Sequence, residues 1–255
     1  MWSKFWTVLT LAVTSSAQAV EPTTVFPRIP GIVTRLTFDD TRTGHMVVNG
    51  EWLITTDGGV SWTKSATPRV VQPIWMSTLR QPGWKGWAVA PARSYSDRQF
   101  WQIDEKHGLE LVDTDLFTTS DSGATWKAGA YPGASLGKPT LYFKGSRGLI
   151  ITTPGDIRVS DDYGVTWNKA AIDPVSKSDL GKPPDQPFVM LTTWYGYATR
   201  GGNTIYETRD GGRNWQPFFT GNNEYFHVIT CYASDCWAAA SEGRLVHWNA
   251  AAALH

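Results

Sequence analysis

The sequence predicts an all-β fold, a β-propeller of four-stranded antiparallel blades, five in number, with the ring closed by an N-terminal strand. Three observations predict it. One octamer of fixed chemistry occurs four times, and a pair of short apolar runs occurs five times, 40–48 residues apart except for one longer unit. The fifth copy ends without its octamer, while a spare strand-like segment stands at the other end of the chain. Composition agrees: 24 Gly and 15 Pro are spread along 255 residues, which suits many short strands better than long helices.

The octamers follow Ser/Thr-x-Asp-x-Gly-x-Ser/Thr-Trp. They are TTDGGVSW at 55–62, TSDSGATW at 119–126, SDDYGVTW at 160–167 and TRDGGRNW at 208–215. The last carries Asn214 where the others have a hydroxyl. About 0.08 matches to the Asp-Gly-Trp frame are expected by chance in a chain of this composition. Upstream of each, a Gly or Cys opens a run of apolar or small residues, at Gly44, Gly86, Gly148, Gly196 and Cys236. A further apolar run precedes each of these, at 36–38, 74–76, 141–143, 188–191 and 226–229. These runs are short, rich in β-branched and aromatic residues and punctuated by Gly, which is strand chemistry.

The repeat starts are 42, 62, 48 and 40 residues apart. Unit two therefore carries an insert, expected at residues 91–111, and without it all units match a blade of four strands. The fifth unit has one more strand after Cys236, at 244–248, and then stops. A missing outer strand would leave an open sheet edge; residues 23–26 are expected to fill it and so join the two ends of the chain. Six blades is the alternative count.

The N-terminus reads as a signal peptide: Lys4, an apolar stretch over 5–13 too short to span a bilayer, and Ala17-Gln18-Ala19 as cleavage site. The mature propeller is expected to run over 20–250, exported to the periplasm or secreted, with 251–255 left out as a tail. No other stretch is long and apolar enough to span a membrane. In an oxidising compartment Cys231 and Cys236 are expected to pair as a disulfide. Lys and Arg number 23, as do Asp and Glu, so a broad basic surface for nucleic acid is excluded. No metal site and no cofactor are expected: the two Cys lack a nearby ligand set, and the five His show no metal spacing.

The octamers resemble the Asp-box, or bacterial neuraminidase repeat, found in sialidase-like propellers, sortilin-type receptors and the photosystem II assembly factor family. The unit from Leu36 to Trp62 looks most like the assembly-factor type. The resemblance implies a structural role for Asp57, Gly59 and Trp62, Asp121, Gly123 and Trp126, Asp162, Gly164 and Trp167, and Asp210, Gly212 and Trp215. The residue chemistry agrees, since a tight strand connection needs an Asx-turn and a Gly at positive φ. It implies, further, that function resides elsewhere.

Connections in a four-stranded antiparallel blade alternate between its two ends. The octamers join third and fourth strands and share one face of the ring with the first-to-second turns. The opposite face takes the second-to-third turns and the links between blades. On that link face the sequence places its binding candidates, because long loops on a rigid scaffold are where binding usually lives. They are Arg93, Tyr95, Arg98, Trp101, Glu105 and His107 of the insert, and Asn222, Asn223 and Tyr225. Trp101, Trp194 and Tyr195 fall outside the repeat pattern and could stack on sugars or anchor a partner. Arg28-Ile29-Pro30 matches the Arg-Ile-Pro element of sialidases, where the Arg binds the substrate carboxylate. Arg28 is thus the hydrolase candidate, with Arg147, Arg200 and Tyr225 beside Glu207 or Glu224 as further nominees that no motif identifies. The resulting expectation is a non-catalytic exported propeller that binds protein partners as an assembly or accessory factor. A carbohydrate-binding propeller and a sialidase-like glycoside hydrolase are the alternatives.

Overall fold

A computed structural model describes residues 24–26, 28–65, 98–112, 115–130, 140–152, 156–172, 188–199, 202–222, 224–240 and 243–254. The expected signal peptide, the apolar run at 74–76, Gly86, Arg93, Tyr95, Arg200 and Asn223 lie outside them. Among the described residues there are five β-sheets and one short 3-10 helix.

Strand β1 (Thr24–Val25) comes first in the chain but belongs to the last blade. Blade 1 is β2 (Val33–Phe38), β3 (Gly44–Val48), β4 (Glu51–Thr55) and β5 (Thr63–Lys64). Blade 2 is β6 (Arg98–Gln102), β7 (Gly108–Val112), β8 (Asp115–Thr119) and β9 (Lys127–Ala130). Blade 3 is β10 (Thr140–Lys144), β11 (Arg147–Thr152), β12 (Asp156–Ser160) and β13 (Asn168–Lys169). Next along the chain, β14 (Ala171–Ile172) lies parallel on the outer edge of blade 4. That blade is β15 (Phe188–Met190), β16 (Gly196–Thr199), β17 (Thr204–Thr208) and β18 (Asn214–Thr220). Blade 5 is β19 (Phe226–Tyr232), β20 (Asp235–Ala240) and β21 (Leu245–Asn249), completed by β1 with Thr24 opposite His247 and Val25 opposite Val246. All-β blades and the closing N-terminal strand are as the sequence predicts.

Blades pack face to face. One apolar cluster joins Phe38, Met46 and Val33 of blade 1 to Val228, Trp237 and Leu245 of blade 5. Others join blades 2 and 3 through Leu109 and Ile150, blades 3 and 4 through Leu149 and Trp215, and blades 4 and 5 through Tyr197 and Trp248. Middle strands are therefore covered on both faces: β3, β7, β16 and β17 are buried at every position. This removes the alternation a half-buried strand would show.

The repeat Gly at the start of each second strand has a steric reason. A Cβ on Gly44 would come within 2.7 Å of the Phe38 ring, and one on Gly148 within 2.4 Å of Phe143, each ring belonging to the cross-strand partner. In blade 5 the same cross-strand position holds Cys231 opposite Cys236, joined by the expected disulfide.

Unit two departs from expectation. Its second strand starts at Gly108, thirteen residues before Asp121, and not at Gly86. Much of the supposed insert at 91–111 is thus β6 and β7, two strands of the blade itself. The charge of Glu110 hides β7 from hydropathy, yet Glu110 is buried within it. The extra residues fall instead between β5 and β6. The tail also differs: a 3-10 helix spans Ala251–Ala253, and Ala253 and Leu254 pack against the cluster between blades 4 and 5.

Candidate functional site

Each octamer is a self-contained hydrogen-bonded turn. In the first, Thr55 Oγ1 donates to Asp57 Oδ1 at 2.7 Å and accepts from the Gly59 N–H at 3.0 Å. Ser61 donates its N–H to Asp57 Oδ1 at 2.9 Å and its hydroxyl to Oδ2 at 2.6 Å, and the Trp62 indole N–H donates to the Gly59 carbonyl at 3.0 Å. The carboxylate contacts recur at Asp121, Asp162 and Asp210. Asn214 does the hydroxyl's work, donating Nδ2 to Asp210 Oδ2 at 2.5 Å. Gly59, Gly123, Gly164 and Gly212 all sit at positive φ. Trp215 is buried, while Trp62, Trp126 and Trp167 are half-buried.

The residue after each octamer Asp donates its N–H to the first hairpin of the same blade: Gly58 to Arg42, Ser122 to Lys106, Tyr163 to Ser146 and Gly211 to Trp194, at 2.8–3.0 Å. Octamers and first hairpins thus share a face. Blade 5 repeats the bond without an octamer, Ala250 donating to the Ser234 carbonyl at 2.7 Å.

This geometry redistributes the candidates. Glu105 and His107 lie in the β6–β7 hairpin on the octamer face, not the link face; the Glu105 carbonyl accepts from Ser122 Oγ at 2.8 Å. His107 stacks on Tyr163 of the next octamer, ring centroids 3.6 Å apart, with Nδ1 on Asp104 at 2.8 Å. Trp101 is a buried core residue of blades 2 and 3 and presents no binding surface, and Tyr195 is likewise buried. Arg98 is in β6. Asn222 and Tyr225 stay on the link face, both exposed. Arg28 is exposed there too, next to Ile29, whose N–H donates to Gly243 in the β20–β21 connection.

Among the described residues the hydrolase nominees do not converge; Arg200 lies outside those residues. Arg147 begins β11 on the octamer face, whereas Arg28, Tyr225 and Glu224 are on the link face. Glu224 is only 3% exposed and forms an ion pair with Arg244. A Tyr–Glu pair does exist at Tyr195 and Glu207, 2.9 Å apart. Burial, then the neighbouring Tyr197 and the Glu207 charge, push the Tyr195 phenol far up, so it keeps its proton. Glu207 also accepts from Arg209 Nε and Nη2 and from Gln216 Nε2. This is a saturated structural network rather than an activated nucleophile. The described residues hold no group of three or more His, Cys, Asp or Glu placed for a metal, and no helix among them is long and apolar enough to cross a membrane.

The feature that stands out is on the octamer face between blades 3 and 4. Trp194, in the first hairpin of blade 4, is 54% exposed. Thr192 Oγ1 accepts the Trp194 and Tyr195 N–H groups and fixes the hairpin. The Arg147 guanidinium lies 4.6 Å from the indole centroid and Arg213 at 6.0 Å. Asp161 bridges the two arginines at 2.6 Å each. Burial draws the Arg147 pKa down against the opposing pull of Asp161. The indole is thus held by two cations while more than half of the residue stays exposed. Sequence reasoning singled out Trp194, named Arg147 only as a hydrolase nominee, and missed Arg213 and Asp161. The available signal was octamer 4 itself, with Arg213 where the others carry Val60, Ala124 and Val165.

No family model matches the chain. No curated protein matches it either. Among solved structures it is similar to YCF48 bound to D1 peptide, at 14% identity over 90% of this chain and 97% of that one, TM-score 0.37. It is similar to YCF48 from Cyanidioschyzon merolae, at 12% identity over 88% and 96%, TM-score 0.35. The β-propeller domain of Myceliophteria thermophila Cps50 (Swd1) is similar at 11% identity over 88% and 72%, TM-score 0.44. The likeness is one of fold.

Proposed function

We propose that this chain is a non-catalytic exported propeller that acts through protein contacts, as an assembly or accessory factor in the periplasm. The observation that carries the reading is Trp194: a large aromatic, half exposed, fixed on a rigid scaffold by Arg147 and Arg213. Trp and Arg are the residue types that dominate protein–protein hot spots. Val165 and Tyr232 are exposed on the same face. The separation of the described hydrolase nominees, Arg147 on the octamer face and Arg28, Glu224 and Tyr225 on the link face, supports a binding role. Export is supported by the leader-like residues 1–19 and by the Cys231–Cys236 disulfide, a bond that persists in oxidising compartments.

The test is affinity isolation from the native periplasmic fraction with three forms of the chain. Partners recovered with the parent and with Tyr225→Ala, and lost with Trp194→Ala, are the expected result. An identical partner set with Trp194→Ala would overturn the docking surface. Turnover of a fluorogenic glycoside panel would overturn the non-catalytic reading. N-terminal sequencing of the periplasmic protein is expected to begin at Val20; recovery of the uncleaved chain in the cytoplasm would refute export.

A further inference from the structure

We propose that a polar cleft beside octamer 4 binds a neutral saccharide unit, at a site separate from Trp194. The cleft measures about 380 Å³ and is lined by Glu207, Arg209, Asp210, Asn214 and Gln216, with Ala171 and Trp215. That is toward the lower end of the range of about 300–1,000 Å³ for small-ligand sites.

Its position follows from the repeat. Side chains three and one residues before the octamer Asp, and four and six after it, point into a common space at the blade's edge. Blade 2 has the equivalent cleft, lined by Thr118, Ser120, Thr125 and Lys127, but it measures only about 170 Å³. Asp162, Tyr163 and Val165, from the octamer of the next blade, wall it in. Blade 5 has no octamer, and among the described residues none of blade 5 lines the cleft of blade 4. The cleft of blade 4 is thus the larger of the two and lacks a wall from a neighbouring octamer.

The chemistry selects the ligand class. Glu207 and Asp210 against Arg209 leave one net negative charge, which disfavours acidic sugars and other anions. Both carboxylates are already occupied. Glu207 accepts from Tyr195, Arg209 and Gln216, and Asp210 accepts from Thr208 and Asn214. What remains is a mixed set of donors and acceptors. Arg209 spends Nε and Nη2 on Glu207 and keeps Nη1. Asn214 and Gln216 each spend one amide N–H and keep their carbonyl oxygens. Sugar hydroxyls donate and accept at once and match such a set. Asn214 is the single departure from the octamer's hydroxyl position, and with Gln216 it gives this cleft two side-chain amides.

The experiment is saturation-transfer NMR followed by calorimetry on the full chain, with cellobiose, chitobiose, lactose and mannobiose as neutral probes and N-acetylneuraminic and glucuronic acids as charged ones. Saturable binding of a neutral probe, weakened at least tenfold by both Gln216→Ala and Asn214→Thr, is expected. Asn214→Thr restores the hydroxyl the other octamers carry and so keeps the turn. Trp194→Ala should leave this binding unchanged, which separates the site from the protein-docking reading. Binding of no neutral probe, tighter binding of the acids, or affinities unmoved in both cleft variants would each overturn the proposal.

Discussion

The Trp237 indole N–H of the last blade donates to the Gly58 carbonyl in the first octamer, 3.1 Å away across 179 residues of chain. Its ring stacks on Phe38 of blade 1, centroids 3.7 Å apart and 8° from parallel. With β1 on β21, this contact closes the ring. Trp237→Phe keeps an aromatic ring but removes the donor, and should cost about 1–3 kcal/mol by leaving a carbonyl without its partner. Trp237→Ala should cost about 3–5 kcal/mol as a large-to-small core change. Urea denaturation reads both; an unchanged midpoint for Trp237→Ala would remove this residue from the closure.

Two glycines separate backbone strain from packing. Gly50 and Gly212 have nearly equal positive φ, +84° and +87°. A Cβ on Gly50 meets nothing within 4 Å, whereas on Gly212 it would lie 2.2 Å from Leu149 Cδ2 of the preceding blade. Gly50→Ala should cost about 1 kcal/mol, the backbone cost alone. Gly212→Ala should add about 1–3 kcal/mol of overpacking. Equal losses for the two would mean that octamer 4 does not press on blade 3.

Acid should weaken the octamers in a defined window. The Ser61 hydroxyl, then the Ser61 N–H and the Thr55 hydroxyl, hold Asp57 down from 3.8 to about 2. The Thr125 hydroxyl lowers Asp121 in the same way. Burial raises Asp162 and Asp210, but hydrogen bonds from Thr166 and Asn214 lower them further. Since the folded-state values lie below the unfolded one, the stabilisation is complete above 3.8 and lost as pH falls toward about 2. Denaturation midpoints measured from pH 6 to pH 2 should decline in that interval, and Ser61→Ala should flatten the decline. A profile with no fall below pH 4 would contradict the bonding described here.

The Cys231–Cys236 bond staples the β19–β20 hairpin at a cross-strand pair. Loop closure over so short a span contributes about 2 kcal/mol. The double change Cys231→Ala, Cys236→Ala should lower stability by that amount, and reductant should then have no further effect on the melting temperature. A reductant-sensitive parent with an insensitive double variant is the diagnostic pair.

Much of this fold is legible in the chain. The octamers announce themselves because each turn is closed within eight residues by its own Asp, Gly, hydroxyl and Trp. The closing strand was legible as a deficit, since the last unit lacked a strand that residues 23–26 could supply. Unit two was misread because Gly86-Trp87-Ala88 imitates the repeat start, while Glu110 disguises the strand that begins at Gly108. The site was less legible. Trp101, Trp194 and Tyr195 look alike in sequence, yet only Trp194 is exposed.

Local turn chemistry, repeat period and cysteine spacing were therefore settled by the sequence alone, because the interactions that enforce them are short in range. Tertiary structure alone decided which indole faces water, that Glu105 and His107 lie on the octamer face, and that residues 250–254 stand where a fifth octamer would be. Each of these depends on what the neighbouring blade presents. Arg147, Asp161 and Arg213 hold Trp194 from three separate stretches of chain. The cleft beside Asn214 lacks the neighbouring-octamer wall that encloses the cleft of blade 2, and no local pattern in octamer 4 records that.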